Sequence, residues 1–265
     1  MVKGLYTAHT GMINEMKRMD ILTNNLANAD TTAYKKEGTT SKTFADELAI
    51  KIKDTSSNGI AKNLGEISLV THLGQVYTDY SSGSFKVTDN DMDFALDGKG
   101  FFAVSFTDKQ GNTSIKYTRD GAFTVNTQGY LVTKDGDYVL NATGALNRDP
   151  NQANYIQVDP LVPVVVDEMG YIYQNDQIVG TLGIADIDNY DYIEKYGENL
   201  YNFLEGANVM ASDAKVRQGV LETSNVNVVN EMVNMIAIQR AYEAGQKVIT
   251  SIDTTLGLAV NLGKL

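Results

Sequence analysis

SNVNVVNEMVNMIAIQRAYEAGQKVITSIDTTLGLAV (224–260) contains no proline and repeats apolar residues at alternating spacings of three and four. Val228, Met235, Ile238, Tyr242, Gly245, Ile249, Ile252, Leu256 and Ala259 make up the series, with Glu231 its one charged member. That spacing is one face of an α-helix wound toward a heptad repeat. It predicts a helix of about 35 residues, roughly 50 Å long. Ser224, Asn225 or Asn227 can each cap its start, because a short polar side chain accepts from an orphan amide two or three residues on. Val226, Val229, Met232, Val233 and Ile236 lie off the seam and widen the apolar face. A helix apolar on more than one side has to be covered on more than one side.

The opposite end of the chain carries a matching signal. Leu5, Ala8, Met12, Met19, Leu22 and Leu26 keep the same spacing over residues 1–28, broken only by Glu15. Leu5, Met12, Met19 and Leu26 are each seven apart. The two ends are expected to pair in one coiled coil. The shorter N-terminal helix cannot cover all of the longer one, so further copies of the chain are expected to do so.

Between the helices the pattern changes. Turn signals recur at Asp97-Gly98, Gln110-Gly111-Asn112, Asp120-Gly121, Gln128-Gly129, Asp135-Gly136, Met169-Gly170 and Gln174-Asn175-Asp176. Short aromatic and β-branched runs lie among them, FFAVSF (101–106) the longest. This is the signature of β-hairpins, and it predicts roughly eight to ten short strands over 81–205. FADELAIKIK (44–53) reads as either a short amphipathic helix or a strand, and DTSSNG (54–59) as a loop. The expected organisation is an N-terminal axial helix (1–34), a connector (35–80), a β-rich domain (81–205), a return segment (206–223) and a C-terminal axial helix (224–265). The fold class is α+β: terminal heptad helices paired in a coiled coil, with an all-β domain inserted.

Composition narrows the function. The net charge is −11, yet residues 1–60 hold 8 Lys/Arg against 7 Asp/Glu, residues 221–265 hold 3 against 4, and residues 61–220 hold 11 against 22. An acidic middle disfavours nucleic acid and anionic membrane as partners. With no cysteine, disulfide frameworks and thiol chemistry are excluded. No run of 18 apolar residues predicts a membrane span, and MVKGLYTAHTGMINEMK lacks the apolar core of a cleaved signal peptide.

No motif predicts catalysis or a cofactor. His9 and His72 are the only histidines and have no HExxH spacing, so metal and triad roles are not expected. DNDMDFALDG (89–98) fails as a calcium loop because Phe94 and Gly100 stand where Gly and Glu are needed; it reads as a solvated acidic loop. Gly98, Gly100 and Ala103 satisfy GxGxxA, but a strand pattern follows instead of a helix, which rejects dinucleotide binding. Asparagines cluster in or beside the helices (Asn14, Asn24, Asn25, Asn28, Asn225, Asn227, Asn230 and Asn234). They read equally as caps and solvated amides or as buried amides that set register between packed subunits.

Four stretches together resemble the flagellar basal-body rod and hook family of axial proteins. NNLANADTTAYKK (24–36) carries the Asn-Leu-Ala-Asn hallmark at Asn25, Leu26, Ala27 and Asn28, with Tyr34 as aromatic anchor; Ala33-Tyr34 stands where Gly-Phe is more usual. LDGKGFF (96–102), with Gly98, Gly100 and Phe101, and YTRDGAF (117–123), with Tyr117, Arg119, Asp120 and Gly121, are similar to the paired central motifs. YGENLY (196–201) resembles the segment leading back to the axial core. GVLETSNVNVVNEMVNMIAIQRAYEAGQKVI (219–249) is similar to the C-terminal signature through Ser224, Asn225, Gln239, Arg240, Tyr242 and Glu243. The resemblance implies a structural, non-enzymatic subunit with no cofactor, no small-molecule substrate and no nucleic acid. Its implied partners are copies of itself, other rod proteins, hook protein and the flagellar export apparatus. It further implies export without a cleaved signal to the basal body, terminal helices forming an inner tube, and a β domain packed outside. Chain length and the YTRDG and YGENLY segments favour the distal part of the rod, with proximal rod and hook-type positions as alternatives and a secreted β-rich adhesin or binding module as the alternative of a different class. The residues expected to pack the helices are Leu5, Met12, Met19, Leu22, Leu26, Met235, Ile238, Tyr242, Ile249, Ile252 and Leu256.

Overall fold

The computed structural model describes residues 2–43, 47–51, 62–67, 71–147, 154–197 and 199–263. It is an α+β chain whose contacts gather into two units. One comprises Met1–Ala27, Lys36–Asp79 and Val226–Leu265; the other comprises Asn28–Lys35 and Tyr80–Asn225.

Helix α1 (Val2–Ala27) opens the first unit and is followed by β1 (Glu37–Thr43), β2 (Glu47–Lys51), β3 (Lys62–Ile67) and β4 (Thr71–Thr78). β1 and β4 pair antiparallel from Glu37↔Thr78 to Thr43↔Thr71, with an irregularity between Thr39 and Ser41, and both lie against α1. β2 pairs antiparallel with β3, so residues 47–51 of the ambiguous stretch are a strand and not a helix. Residues 44–46, 52–53 and the loop expected at 54–59 lie outside the described residues.

The second unit begins its strand series with β5 (Phe85–Val87), β6 (Phe94–Asp97), β7 (Phe101–Thr107), β8 (Thr113–Thr118), β9 (Phe123–Val125), β10 (Leu131–Thr133) and β11 (Tyr138–Val139). A short helix α2 (Ala142–Asn147) separates these from β12 (Val165–Val166), β13 (Tyr171–Gln174), β14 (Gln177–Thr181), β15 (Ile184–Ile187), β16 (Ile193–Tyr196) and β17 (Leu200–Phe203). The expected return segment holds three more, β18 (Val209–Ala211), β19 (Lys215–Gln218) and β20 (Val220–Glu222), before helix α3 (Val228–Leu262) closes the chain. Thirteen strands therefore lie within 81–205 among the described residues, against the eight to ten expected. The surplus is strands of two or three residues such as β11 and β12, which are too short to show an alternation.

The main sheet runs β16-β17-β8-β7-β11-β10-β9, with β15 pairing β7 and β18. β7 explains why its first four residues, FFAV (101–104), are all apolar instead of alternating. Phe102 and Val104 enter one hydrophobic cluster with Phe94, Leu96 and Phe123, while Phe101 and Ala103 enter another with Tyr117, Tyr201 and Phe203. Successive side chains point to opposite faces, and here both faces are core. Two-stranded pairs β19-β6 and β20-β5 and the three-stranded β12-β13-β14 complete the unit. The turn between β13 and β14 has positive φ at Asn175 (51°) and Asp176 (59°), the conformation that a tight hairpin requires.

The stretch 89–98 is not a solvated loop. Only its two ends are exposed: Phe94, Ala95 and Leu96 are 0–1% exposed and lie in β6, a core strand. Flanking aspartates masked the three apolar residues in the sequence.

Candidate assembly surface and the junction of the motifs

In the first unit α1 and α3 pack against each other and run antiparallel. A Cβ built on Gly4 would lie 3.8 Å from Ile252 Cδ1, and one built on Gly245 would lie 2.7 Å from Met12 Cγ. As numbers rise along α1 they fall along α3. Gly245 thus allows a close approach that any larger residue would push apart. The face of α3 toward α1 contains buried Glu231 and Ile238 and half-buried Met235, Tyr242, Gly245, Ile249 and Ile252. Leu5, Met12, Met19, Leu22 and Leu26 of α1 are likewise half-buried. Leu256, expected in the seam, is exposed. It lies a turn beyond Ile252, which already stands opposite the first residues of α1, so no helix remains to cover it.

The rest of α3 is apolar and uncovered. Val229 (65% exposed), Met232 (45%), Val233 (59%) and Ile236 (49%) fall at i, i+3, i+4 and i+7, which is one stripe of helix surface. Gln239, Arg240 and Glu243 are also exposed on α3. Asn227 caps the helix, its side chain accepting from the Asn230 amide.

The buried asparagines act within the chain. Asn25 donates from Nδ2 to the Glu37 carbonyl (2.8 Å) and accepts from the Glu37 amide (2.9 Å), holding β1 to the end of α1 as a paired strand would. Asn14 donates to Ser41 Oγ at 3.1 Å. Asn24, Asn230 and Asn234 are exposed, as is Ala27, and half-buried Asn28 accepts from Thr31 Oγ1.

In the second unit the motif residues converge on one carboxylate that the sequence did not single out. Glu222, at the end of β20, has a fully buried side chain. Its Oε1 accepts from Lys35 Nζ at 2.7 Å and from the Gly83 amide at 2.9 Å, and its Oε2 lies 3.5 Å from Arg119 NH1. Lys35 and Arg119 are themselves 1% and 3% exposed. Two cations share this carboxylate, and carbonyls supply further contacts. Ser81 O accepts from Lys35 (2.9 Å), and Leu96 O and Gly98 O accept from Arg119 (3.4 and 2.8 Å). Arg119 also lies over the Phe101 ring, 5.4 Å from its centroid. A buried charge is tolerated only when paired and hydrogen-bonded, which all three are.

Neighbouring motif residues tie the 28–35 segment to the same place. The Ala33 amide donates to the Glu222 carbonyl (2.9 Å) and the Asn225 amide to the Tyr34 carbonyl (3.4 Å). Tyr34 is 2% exposed, with Lys195 Nζ 4.3 Å from its ring centroid. Thr32 Oγ1 donates to Asp120 (3.0 Å), Asp120 accepts from the Ala122 amide (3.1 Å), and Asn199 donates to the Thr32 carbonyl (3.2 Å). Burial pushes the Asp120 carboxyl above its usual range despite those donors. Gly121 is required by space, since a Cβ there would sit 1.9 Å from the Phe94 carbonyl. Ser224 is half-buried, and Asn225 Nδ2 donates to Ser81. Tyr117 stacks on Phe203 with centroids 3.8 Å apart and donates to the Ala145 carbonyl.

The turn before Tyr34 takes a positive φ even without glycine: Ala33 has φ 58° and is 2% exposed. A left-handed alanine costs on the order of 1–2 kcal/mol. Among the described residues no group of three His, Asp or Glu side chains is placed to hold a metal, and no helix is long and apolar enough to cross a membrane. A cavity of about 340 Å³ lined by Asp120, Asp135, Asp137, Lys134, Tyr196 and Asn199 opens beside the motif junction.

Comparison with known families matches three regions of the chain. Residues 5–35 match the family described as flagella basal body rod protein, residues 95–174 the flagellar hook protein FlgE/F/G D1 domain, and residues 217–262 the flagellar basal body rod FlgEFG protein C-terminal region. Lys35, Arg119 and Glu222 each come from a different one of these regions. Among similar proteins, the flagellar basal-body rod protein FlgF of Caulobacter vibrioides is 35% identical, with 100% of each chain aligned. The flagellar basal-body rod protein FlgG of Bacillus subtilis is 32% identical over 99% of each chain, and that of Borreliella burgdorferi is 29% identical over 99% of each. With relatives aligned end to end and three regions matched in order, this chain belongs to the flagellar basal-body rod protein family.

Proposed function

We propose that this structural rod subunit of the flagellar basal body builds the distal part of the rod, and that α3 joins neighbouring subunits there. The observation that carries the reading is the exposed stripe Val229, Met232, Val233 and Ile236 on a helix already packed on its other side. Burying one such side chain fully contributes about 1.5–3 kcal/mol. Four of them on each copy supply a substantial driving force for association. The α1–α3 seam is read as a short antiparallel coiled coil, supported by its three–four spacing and the contact of Met12 with Gly245. Other rod proteins and hook protein are the further partners, and length together with the YTRDG and YGENLY segments supports the distal position. A position elsewhere along the rod is the second reading, because relatives of nearly equal identity carry two different rod-protein names.

Electron microscopy of basal bodies tests both parts. A strain lacking the chain is expected to show shortened rods without hooks; full-length rods bearing hooks in that strain would exclude the distal assignment. Val233→Asp is expected to abolish rod completion while the purified protein keeps its parental melting of the β-rich unit. Normal rods and motility with Val233→Asp would remove the stripe from the assembly.

A further inference from the structure

The β-rich unit cannot be completed from its own middle. Strand β6 is among the most deeply buried of the unit; its first residue donates to the Gly121 carbonyl, yet among the described residues its ladder runs only with β19, from Lys215↔Asp97 to Gln218↔Phe94. β5 depends in the same way on β20. Val216 of β19 belongs to the cluster that holds Phe94, Leu96 and Phe102. Gln218 donates to the carbonyls of Asp91 and Val164 and accepts from the Val166 amide, stitching three separated segments. Until residues 215–222 arrive, β6 has backbone groups in the core with no partner, and each such group costs as much as a lost hydrogen bond. The side chains reinforce the dependence, because Lys35 and Arg119 meet in the interior and Glu222 supplies a negative charge to both.

We infer that Glu222 is a closing lock, which makes folding of the β-rich unit conditional on arrival of the last strand pair. A chain that emerges from its N-terminus delivers Lys35 first, Arg119 next and Glu222 last. Segments carrying the two cations stay open until the carboxylate joins them, and then the unit closes in one step. A chain in transit is thereby kept from folding its central domain early.

Refolding of the full-length protein from urea, followed by pulsed hydrogen exchange and mass spectrometry, tests the order of events. The expected result is that amides of β6, β7 and β8 gain protection in the same kinetic phase as those of β19 and β20. Protection of β6–β8 in an earlier phase, with 215–222 still exchanging, overturns the inference. Native-state exchange of Glu222→Gln, which keeps the shape and removes the charge, gives a second reading. Breaking a buried pair is expected to speed exchange at least about a hundredfold around residues 32–36, 81–88 and 215–225 together. Acceleration confined to residues 220–223, or none, leaves Glu222 a local contact and not a lock. If the variant does not fold at all, refolding of the parent protein still decides the order of closure.

Discussion

Ala33 holds a left-handed backbone in a buried turn, just before the buried Tyr34. Ala33→Gly trades a small loss of packing against relief of strain and is expected to stay within about 1 kcal/mol of the parent. Ala33→Val adds a branched Cβ in the wrong conformation and in a full space, and urea unfolding is expected to show a loss of about 2 kcal/mol or more. Equal stability of the two variants would mean the turn can rearrange. A second residue sets an alkaline limit. Burial, and then its hydrogen bond to Asp186, push the Tyr190 hydroxyl up from 10.0 to about 12. The folded form holds this proton more tightly than the unfolded form, so the contribution is complete below pH 10 and is lost as pH rises toward 12. Tyr190→Phe is expected to be less stable at neutral pH by about 1 kcal/mol, through the lost hydrogen bond. Its urea midpoint should also fall less steeply over that alkaline window, and an unchanged alkaline slope would assign the loss to other groups.

Among the elements, α3 was the most legible in the sequence, because 35 residues of unbroken three–four spacing leave little room for another structure. Its cap could be narrowed only to three polar residues, and the structure selects Asn227. Asn227→Ala is expected to remove about 1 kcal/mol and to fray the first turn in hydrogen exchange; protection unchanged at Val229–Glu231 would contradict the cap. β7 could be read because an apolar run between turns needs two buried faces. β6 could not, since Phe94-Ala95-Leu96 is three residues wide and flanked by acid. The motif junction was half legible: Tyr34, Arg119, Asp120 and Asn225 stood out within motifs, whereas Lys35 and Glu222 lay inside the quoted stretches with nothing to pair them. Their meeting is a contact across 187 residues of sequence, and no local pattern records a pairing of that span. Leu256 marks a related limit: spacing identifies a seam but not where the opposite helix ends, and in one copy Leu256 stays exposed.

On the scale of the molecule, charge is divided as structure is. The strongly acidic residues 61–220 overlap chiefly the β-rich unit, while the helical ends are close to neutral and rich in uncovered apolar surface. Like-charged surfaces in a crowded assembly repel at low salt, whereas apolar contacts are insensitive to it. Self-association of the purified full-length chain, followed by sedimentation, is therefore expected to strengthen as salt is raised through the physiological range; weakening with salt would identify ion pairs as the dominant contacts. The identity of the family was carried by motifs, but the reason for their spacing was not visible until they were seen to share one interior point.

Ser81 O accepts from both Lys35 and Asn225, and the Asn225 amide bonds the Tyr34 carbonyl, so the segments around residues 35, 81 and 225 lie side by side. Mechanically that is a short circuit. Tension applied between residues 35 and 225 would load a few bonds around that point and bypass the main sheet. In a single-molecule pulling experiment the force peak should record the rupture of this clasp, with the sheets behind it giving way only afterwards and at no greater force.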